Sequence, residues 1–431
     1  MSGSLPKGAA GRTGAIKITT REDLIFILSE AATLEHMVMC EYLFAAFSLK
    51  KEVSAGLDSE GLEMVKRWEG VVTTVAVQEM LHLALVNNML VSIGAGPYFQ
   101  HPNFPQPSRY FPPNIKLALM PFGENALRHF LFLERPEGMS ISGVPGFEVL
   151  GDLSPKELGA SIVPQTQYFS TVGNLYRGVE GGLTDLVERH GEEGVFLGAD
   201  LTQATEEHFG WPGLIAVKDL SSARSAINGI VENGEGARGK WEDAHFGMFL
   251  RVFKEFMEVR KNDSAFNPTM PVVAAYTRPP VGVDNVPLIV DGFTSKVADL
   301  FNASYGAAVQ CLSRFYVHDR DRPVEEHVLV DTAIGLMADV IKPLGVALTT
   351  LPIGPRLPGL TAGPSFELQQ REYLLPKGDL ALMILQERLA DLSAHSALLV
   401  REARSADLSK KLDGVKSNLE RLAEGFTELG R

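Results

Sequence analysis

This chain of 431 residues has few cysteines, no long apolar run and no excess of positive charge. These features argue against a disulfide-rich protein, a membrane-spanning protein and a nucleic-acid-binding protein, respectively. The two cysteines, Cys40 and Cys311, lie far apart in apolar contexts with helical periodicity. They predict two buried free thiols rather than a disulfide, and a reducing compartment such as the cytoplasm. No stretch approaches about 18 uninterrupted apolar residues, so no membrane span is expected. Acidic residues outnumber basic ones, 53 against 40, and the net charge of −13 argues against nucleic-acid and anionic-membrane partners.

The chain also lacks an apolar signal core at its start, so residues 1–19 are expected to form a disordered tail. Beyond it, helical periodicity alternates with Pro- and Gly-rich loops, which predicts an all-α protein. We expect a metal-binding bundle over 20–262, a helical extension with Pro/Gly-rich loops over 263–375, and amphipathic helices over 376–431. The last segment carries leucines at heptad-like spacing, which suit packing against the body or a homodimer partner: Leu412, Leu419, Leu422 and Leu429.

The segment Val71–Gly94 predicts one helix with an unusual inward face. Its stripe is apolar except for an acid and an imidazole three residues apart, and comprises Val72, Val75, Glu79, His82, Val86, Met89 and Ile93. A buried carboxylate is costly unless something pairs with it. A metal ion is one solution, and the alternatives are a hydrogen-bonded Glu–His pair and a helix edge that is partly exposed to water.

A second predicted helix, from an N-cap at Thr20 to about Lys51, repeats this pattern. Glu35 is the one charge on its apolar stripe, and Tyr42 follows on the same face. Glu41 is a weaker rival because its helical neighbours are apolar as well. The sequence therefore nominates Glu35 as a third ligand.

A second Glu-x-x-His pair, Glu242 and His245, begins the apolar stripe of the helix predicted over Trp241–Lys261. Two such pairs and a further Glu predict a metal centre inside a helix bundle. Glu232 and Glu235, at the end of a helix predicted over Ser221–Gly236 with Ser221 or Ser222 as its N-cap, are further candidates for the coordination sphere.

Several stretches resemble the ferritin-like proteins of the iminophenyl-pyruvate dimer synthase domain family, which is related to enzymes of violacein, rebeccamycin and staurosporine biosynthesis. They include LEHMVMCEYLFAAFSL at 34–49, AVQEMLHLALVNNMLVSIGAGP at 76–97, TVGNLYRGVEGGL at 171–183 and EDAHFGMFLRVF at 242–253. The resemblance implies a ferritin-like four-helix bundle with long loop insertions and a C-terminal helical extension. It also implies a Glu on the third helix, predicted over Ser161–His190, where this chain has Asn174. Two alternatives are open: Glu180 replaces this ligand, or the ligand is lost and a single-metal site results.

Carboxylate and imidazole ligands without thiolate suit iron, and also manganese or zinc, in a mononuclear or dinuclear site. The hypothesis is an iron-dependent oxidase or oxygenase of specialised metabolism that acts on a small organic substrate with dioxygen. Tyr42 and Tyr176 are expected beside the metal as hydrogen-bond partners or redox-active phenols. The Pro-rich loop 97–114 and the insertion 191–218 are expected to cover the substrate. The alternatives are a non-catalytic metal-binding or structural protein and, less suited to such insertions, an iron store.

Overall fold

A computed structural model of the chain describes residues 16–107, 116–136, 167, 169, 171–236, 240–280, 285–317, 323–368, 374 and 378–429. Helices dominate these residues, and the only sheets in them are two short two-stranded ones, so the all-α prediction is confirmed. Most of the predicted tail, the start predicted for the third helix and part of the loop 97–114 lie outside the described residues. In chain order the helices are α1 Arg21–Ser48, α2 Ser59–Ser92, α3 Glu124–Leu133, α4 Val172–His190, α5 Glu192–Val195, α6 Glu206–Phe209, α7 Leu220–Gly234, α8 His245–Asn262, α9 Gly292–Val317, α10 Pro323–Gly335, a π-helix Leu336–Ile341, α11 Lys342–Leu348, α12 Gly378–Glu402 and α13 Ala406–Leu429.

The strands are equally brief. Strand β1, Gln106–Pro107, pairs antiparallel with β2, Lys116–Leu117. Strand β3, Val272–Ala274, pairs parallel with β4, Thr361–Gly363, with Val272 opposite Thr361. A single 3₁₀ turn, Val53–Ala55, precedes α2.

Local capping explains where the helices begin. Thr20 caps α1 through a capping box with Asp23, as the sequence predicts. Helix α2 starts well before residue 71 because the Asp58 carboxylate accepts a hydrogen bond from the Gly61 amide and caps it there. The cap predicted for α7 at Ser221 or Ser222 is wrong: Asp219 takes that place and accepts from the Ser222 amide.

Helices α1 and α2 form the central pair of the bundle and run antiparallel. The Arg21 guanidinium at the start of α1 donates to the Ile93 carbonyl at the end of α2. Both predicted stripes are buried along their full length, including their charged members. The metal candidates are therefore held inside the protein and not at a wet helix edge.

The central pair is covered on two opposite faces. Helices α4, α7 and α8 pack on one face, and α3 packs on α8. On the other face, α9 places Tyr305 against His36 of α1, and Tyr316 donates to the Ala84 carbonyl of α2. Glu35 and His36 are neighbours in the chain, so one helix presents different side chains to the two faces.

The C-terminal helices close the second face. Helix α13 packs mainly on α12 and also contacts α10, and its buried leucines include Leu412, Leu419 and Leu422. These three members of the predicted stripe therefore pack within the chain, whereas the side chain of Leu429 lies outside the described residues. Helix α2 has the length and apolar character of a membrane span, but 56% of its most apolar window is buried inside the protein, as in a core helix.

Candidate metal centre

Glu79 of α2 lies at the centre of a buried cluster of acids and imidazoles. One of its carboxylate oxygens lies 3.0 Å from His82 Nδ1, and the other lies 2.9 Å from His245 Nδ1. The carboxylates of Glu35 and Glu134 approach the same two nitrogens, at 3.7 Å from His82 and 3.5 Å from His245. The result is two triads that share Glu79, one with Glu35 and His82 and the other with Glu134 and His245.

The potential ligand atoms of each triad lie within 4.8 Å of one another, and all five residues are buried. A carboxylate whose two oxygens face different imidazoles has the arrangement of a bridge between two cations. The donor set of three carboxylates and two imidazoles suits iron, manganese or zinc.

Glu134, which lies at the C-terminal end of α3, is the member of the cluster that the sequence analysis does not predict. A signal for it exists. Leu127, Phe130 and Leu131 are buried on the face that leads to Glu134, so α3 also carries one acid at the end of an apolar stripe. The third-helix substitute predicted at Glu180 is wrong, because that side chain is partly exposed and pairs with Arg224.

The cluster holds strongly shifted protons. Burial opposes ionisation of Glu79, but the charges of His82 and His245 keep its pKa well below the ordinary value. Burial also disfavours charged imidazoles, yet the carboxylates around them raise the pKa of His82 to about 10 and that of His245 to about 9. Burial and repulsion by Glu79 raise the pKa of Glu35 to about 8. A metal cation bound in the cluster would displace these protons and balance the carboxylate charges in their place.

The fit to a metal ion rests most directly on His245. Its Nε2 lies 3.0 Å from the side-chain oxygen of Gln78, so Nε2 carries the hydrogen and donates it. The buried Nδ1 has no aligned hydrogen-bond partner among the described residues, although Glu79 and Glu134 oxygens surround it. A bare lone pair facing two carboxylates is repulsive, so a proton or a metal cation must lie between them.

A cavity of about 20 Å³ adjoins this cluster and is lined by Glu35, Glu79, His82 and Glu134. A space of this size holds about one water molecule or ion. The described residues around the centre therefore leave room for a small exogenous ligand beside the side chains.

The two predicted tyrosines occupy equivalent places, one beside each outer carboxylate. Tyr176 of α4 donates its hydroxyl to Glu35, and Tyr42 of α1 donates to Glu134. Burial, reinforced by the neighbouring carboxylates, raises both pKa values well above the ordinary phenol value, so both stay protonated donors. Each hydrogen bond orients one carboxylate of one triad.

Two nominated residues do not reach the cluster. The prediction that Glu242 shares an inward helical face with His245 is wrong, because α8 begins at His245 and Glu242 precedes it as an exposed residue. Glu232 is exposed on α7. Glu235, three residues further along the chain, is buried instead.

Glu235 is buried at the end of α7, but its carboxylate accepts a hydrogen bond from the Gly173 amide in the first turn of α4. A carboxylate at a helix N-terminus is electrostatically favoured. A Cβ on Gly173 would lie 2.5 Å from a Glu235 oxygen, so glycine is needed for this approach. Glu235 therefore caps α4, which holds Tyr176.

Another buried acid–imidazole contact lies apart from the two triads. Glu41, the weaker rival on α1, pairs with His129 at 3.1 Å and accepts a hydrogen bond from the Ala118 amide. These two contacts satisfy the Glu41 carboxylate without a cation.

Both cysteines are buried and free, as predicted.

A third group that could hold a metal consists of His36, Cys40 and His101. All three converge on the Tyr305 hydroxyl, at 2.6 Å from His36 Nε2, 2.8 Å from His101 Nε2 and 3.4 Å from the Cys40 sulfur. One hydroxyl can donate once and accept twice, so this oxygen can satisfy the three atoms that face it. The buried Nδ1 of His36 is not one of these atoms. The three contacts themselves require no cation.

Comparison with known proteins agrees with this architecture. A family model described as Ferritin-like matches residues 28–254, which contain every residue of the two triads. The crystal structure of a ferritin-like protein from Caulobacter vibrioides superposes with a TM-score of 0.50 at 14% identity, over 80% of this chain and 99% of that one. At such identity the likeness shows the fold alone.

Two characterised relatives align along most of the chain. Dichlorochromopyrrolate synthase of Lentzea aerocolonigenes is 28% identical over 96% of this chain and 42% of its own length. The 2-imino-3-(indol-3-yl)propanoate dimerase of Chromobacterium violaceum is 27% identical over 81% of this chain and 34% of its own length. The chain thus spans less than half the length of either relative.

Proposed function

Because the chain belongs to the ferritin-like family and its two triads share Glu79, we propose that it is a metal-dependent oxidoreductase of specialised metabolism. Iron is the metal proposed, and a small organic substrate and dioxygen are the proposed reactants. The observation that carries the proposal is the placement of the two Glu79 oxygens against different imidazoles. The relatives support an organic substrate, since one is named for the dimerisation of an indole-bearing imino acid.

The side chains proposed to hold the metal are Glu35, Glu79, His82, Glu134 and His245. Iron bound there would supply the reduction of dioxygen and the withdrawal of electrons from the organic substrate. The protein would contribute orientation: Tyr176 and Tyr42 fix the outer carboxylates, and Gln78 fixes the tautomer of His245. Burial keeps bulk water from the cluster.

The test begins with the metal content per chain of protein purified without added metal. Dioxygen uptake is then followed after anaerobic loading with Fe(II), first alone and then with aromatic α-imino and α-keto acids. About two irons per chain and substrate-stimulated uptake are expected for two triads with a shared bridge. Tightly bound, stoichiometric metal without uptake would favour a non-catalytic metal-binding protein instead.

A matched pair of variants makes this test specific. Glu79→Gln removes the shared carboxylate, whereas Glu41→Gln alters an equally buried acid on the neighbouring helix that pairs with His129. Loss of iron and of uptake in the first variant alone supports the proposal. Equal behaviour of the two variants contradicts it.

A further inference from the structure

A second cavity lies on the face of the α1–α2 pair that is turned away from the metal candidates. It has a volume of about 250 Å³ and is bounded by α1, α2, α9 and the π-helix Leu336–Ile341. Its α1 and α2 walls include His36 and Met80, each of which directly follows a residue of the metal cluster. Successive helical residues point about 100° apart, so this cavity and the cluster occupy different faces of the same helices.

The cavity wall is apolar and rich in aromatic rings. Phe209 and Trp211 stack at a centroid distance of 5.1 Å at one side, and Tyr305 and Tyr316 of α9 form another side. Protein interiors are close-packed and voids larger than a water molecule are few, so an apolar space of this size is a candidate ligand pocket. Flat aromatic walls favour a flat apolar occupant.

The π-helix is an independent sign of function at the same place. It contributes Met337, Ala338 and Ile341 to the wall. π-Helical turns are rare and occur most often at functional sites, because the extra residue in the turn moves side chains out of the regular helical register. Here the irregular turn borders the cavity.

Charge at one end of the cavity identifies the polar part of the occupant. Lys342, an exposed residue, follows the π-helix and lines the cavity close enough to Lys51 to repel it, and no ion pair of Lys342 occurs among the described residues. The nearby Glu69 is already paired with Lys51 at 2.7 Å. Two lysines and one glutamate leave a positive charge, which a carboxylate would balance.

Apart from Glu69 and Lys342, the residues that line the cavity include no acid, lysine or arginine. At the wall formed by α9, the hydroxyl of Tyr305 is already occupied by His36, His101 and Cys40. The polar anchor of the occupant therefore belongs at the Lys342 end.

We propose that this cavity is a binding site for a small planar aromatic monocarboxylate, separate from the metal centre. The aromatic body lies among Trp211, Tyr316 and Met337, and the carboxylate lies beside Lys342. The site does not require a metal, so its occupancy and the metal content vary independently.

The probe for the test is 2-naphthoate, with uncharged 2-naphthamide as its matched control. Isothermal titration calorimetry on the full chain is expected to show one saturable naphthoate site, with and without prior metal removal. Lys342→Gln is expected to weaken naphthoate binding about fivefold, the upper range for one exposed ion pair, and to leave naphthamide unchanged. Equal losses for both probes would overturn the placement of the carboxylate.

Filling the cavity tests its location. Ala338→Trp, at the rim, and Ala308→Leu, deeper in α9, are each expected to weaken naphthoate binding at least tenfold. Thr74→Trp is the control, because Thr74 is exposed on α2 outside the cavity. Glu79→Gln is expected to remove metal while naphthoate still binds. No saturable naphthoate binding, or full binding by both filled variants, would refute this proposal and leave the metal proposal untouched.

Discussion

Replacing the shared carboxylate by an amide, Glu79→Gln, gives the sharpest prediction about the metal centre. Glu79 lies 3.0 Å from one imidazole and 2.9 Å from the other. At an effective dielectric constant of about 20, each contact between opposite charges at this distance contributes about 5.5 kcal/mol, equivalent to about four pKa units. This attraction is what overcomes burial and places the pKa values of His82 and His245 at about 10 and about 9.

Without the Glu79 charge, burial dominates, so both pKa values should fall to the ordinary value of about 6.5 or below it. Histidine-selective NMR titration of the metal-free protein measures this directly, and metal analysis of the same samples should show that both equivalents are lost. Glu41→Gln should change neither the two pKa values nor the metal content. Histidines that still titrate near pH 9–10 in Glu79→Gln, or retained metal, would refute the bridging role.

Three further predictions concern the same centre. Glu134→Ala should remove about half of the bound metal while Glu242→Ala retains all of it, because Glu134 belongs to a triad and Glu242 is exposed. Metal analysis that finds the loss in Glu242→Ala and not in Glu134→Ala would restore the sequence-based assignment. Metal affinity should rise by more than about tenfold per pH unit between pH 6 and 8, because binding displaces more than one proton from Glu35, His245 and His82, whose pKa values are about 8, 9 and 10. Competition with a chelator at several pH values measures this affinity, and a flat profile would contradict the prediction. Tyr176→Phe and Tyr42→Phe should each weaken metal binding about tenfold to a hundredfold with an unchanged circular dichroism spectrum, because each removes one hydrogen bond to an outer carboxylate. Unaltered metal affinity in both variants would show that the phenols do not orient Glu35 and Glu134.

The raised histidine pKa values also give the metal-free protein a definite pH dependence of stability. A group whose pKa is higher in the folded state than in the unfolded state stabilises the fold fully below its unfolded pKa. The contribution of His82 and His245 is therefore complete below about pH 6.5 and is lost as the pH rises through 9 to 10. Bound metal should remove this loss.

The sequence predicted those parts of the centre that a single helix determines. Glu35, Glu79 and His82 each interrupt an apolar stripe within a long helix, and the structure buries all three. The same rule applied to the short helix α3 would have found Glu134. Periodicity therefore identifies which helical faces turn inward, whatever the helix length.

The errors arise where a helix begins and where distant segments meet. The spacing of Glu242 and His245 fits a helix, but periodicity does not fix the first residue, and α8 starts one turn later without a side-chain cap. Glu235 is a candidate ligand from the sequence because it lies at the end of a predicted helix, and an acid at a helix C-terminus is electrostatically unfavourable unless a cation pairs with it. Its actual partner, the Gly173 amide, lies in another helix that local sequence cannot place beside it.

The five residues of the two triads are unevenly distributed along the chain, and this sets the order in which the triads can form. Glu35, Glu79 and His82 belong to two consecutive antiparallel helices, so the first triad needs only the α1–α2 hairpin. The second triad must wait until His245 has been synthesised and α8 has docked. Chain connectivity thus makes one triad local to a hairpin, whereas the other joins α2, the end of α3 and α8.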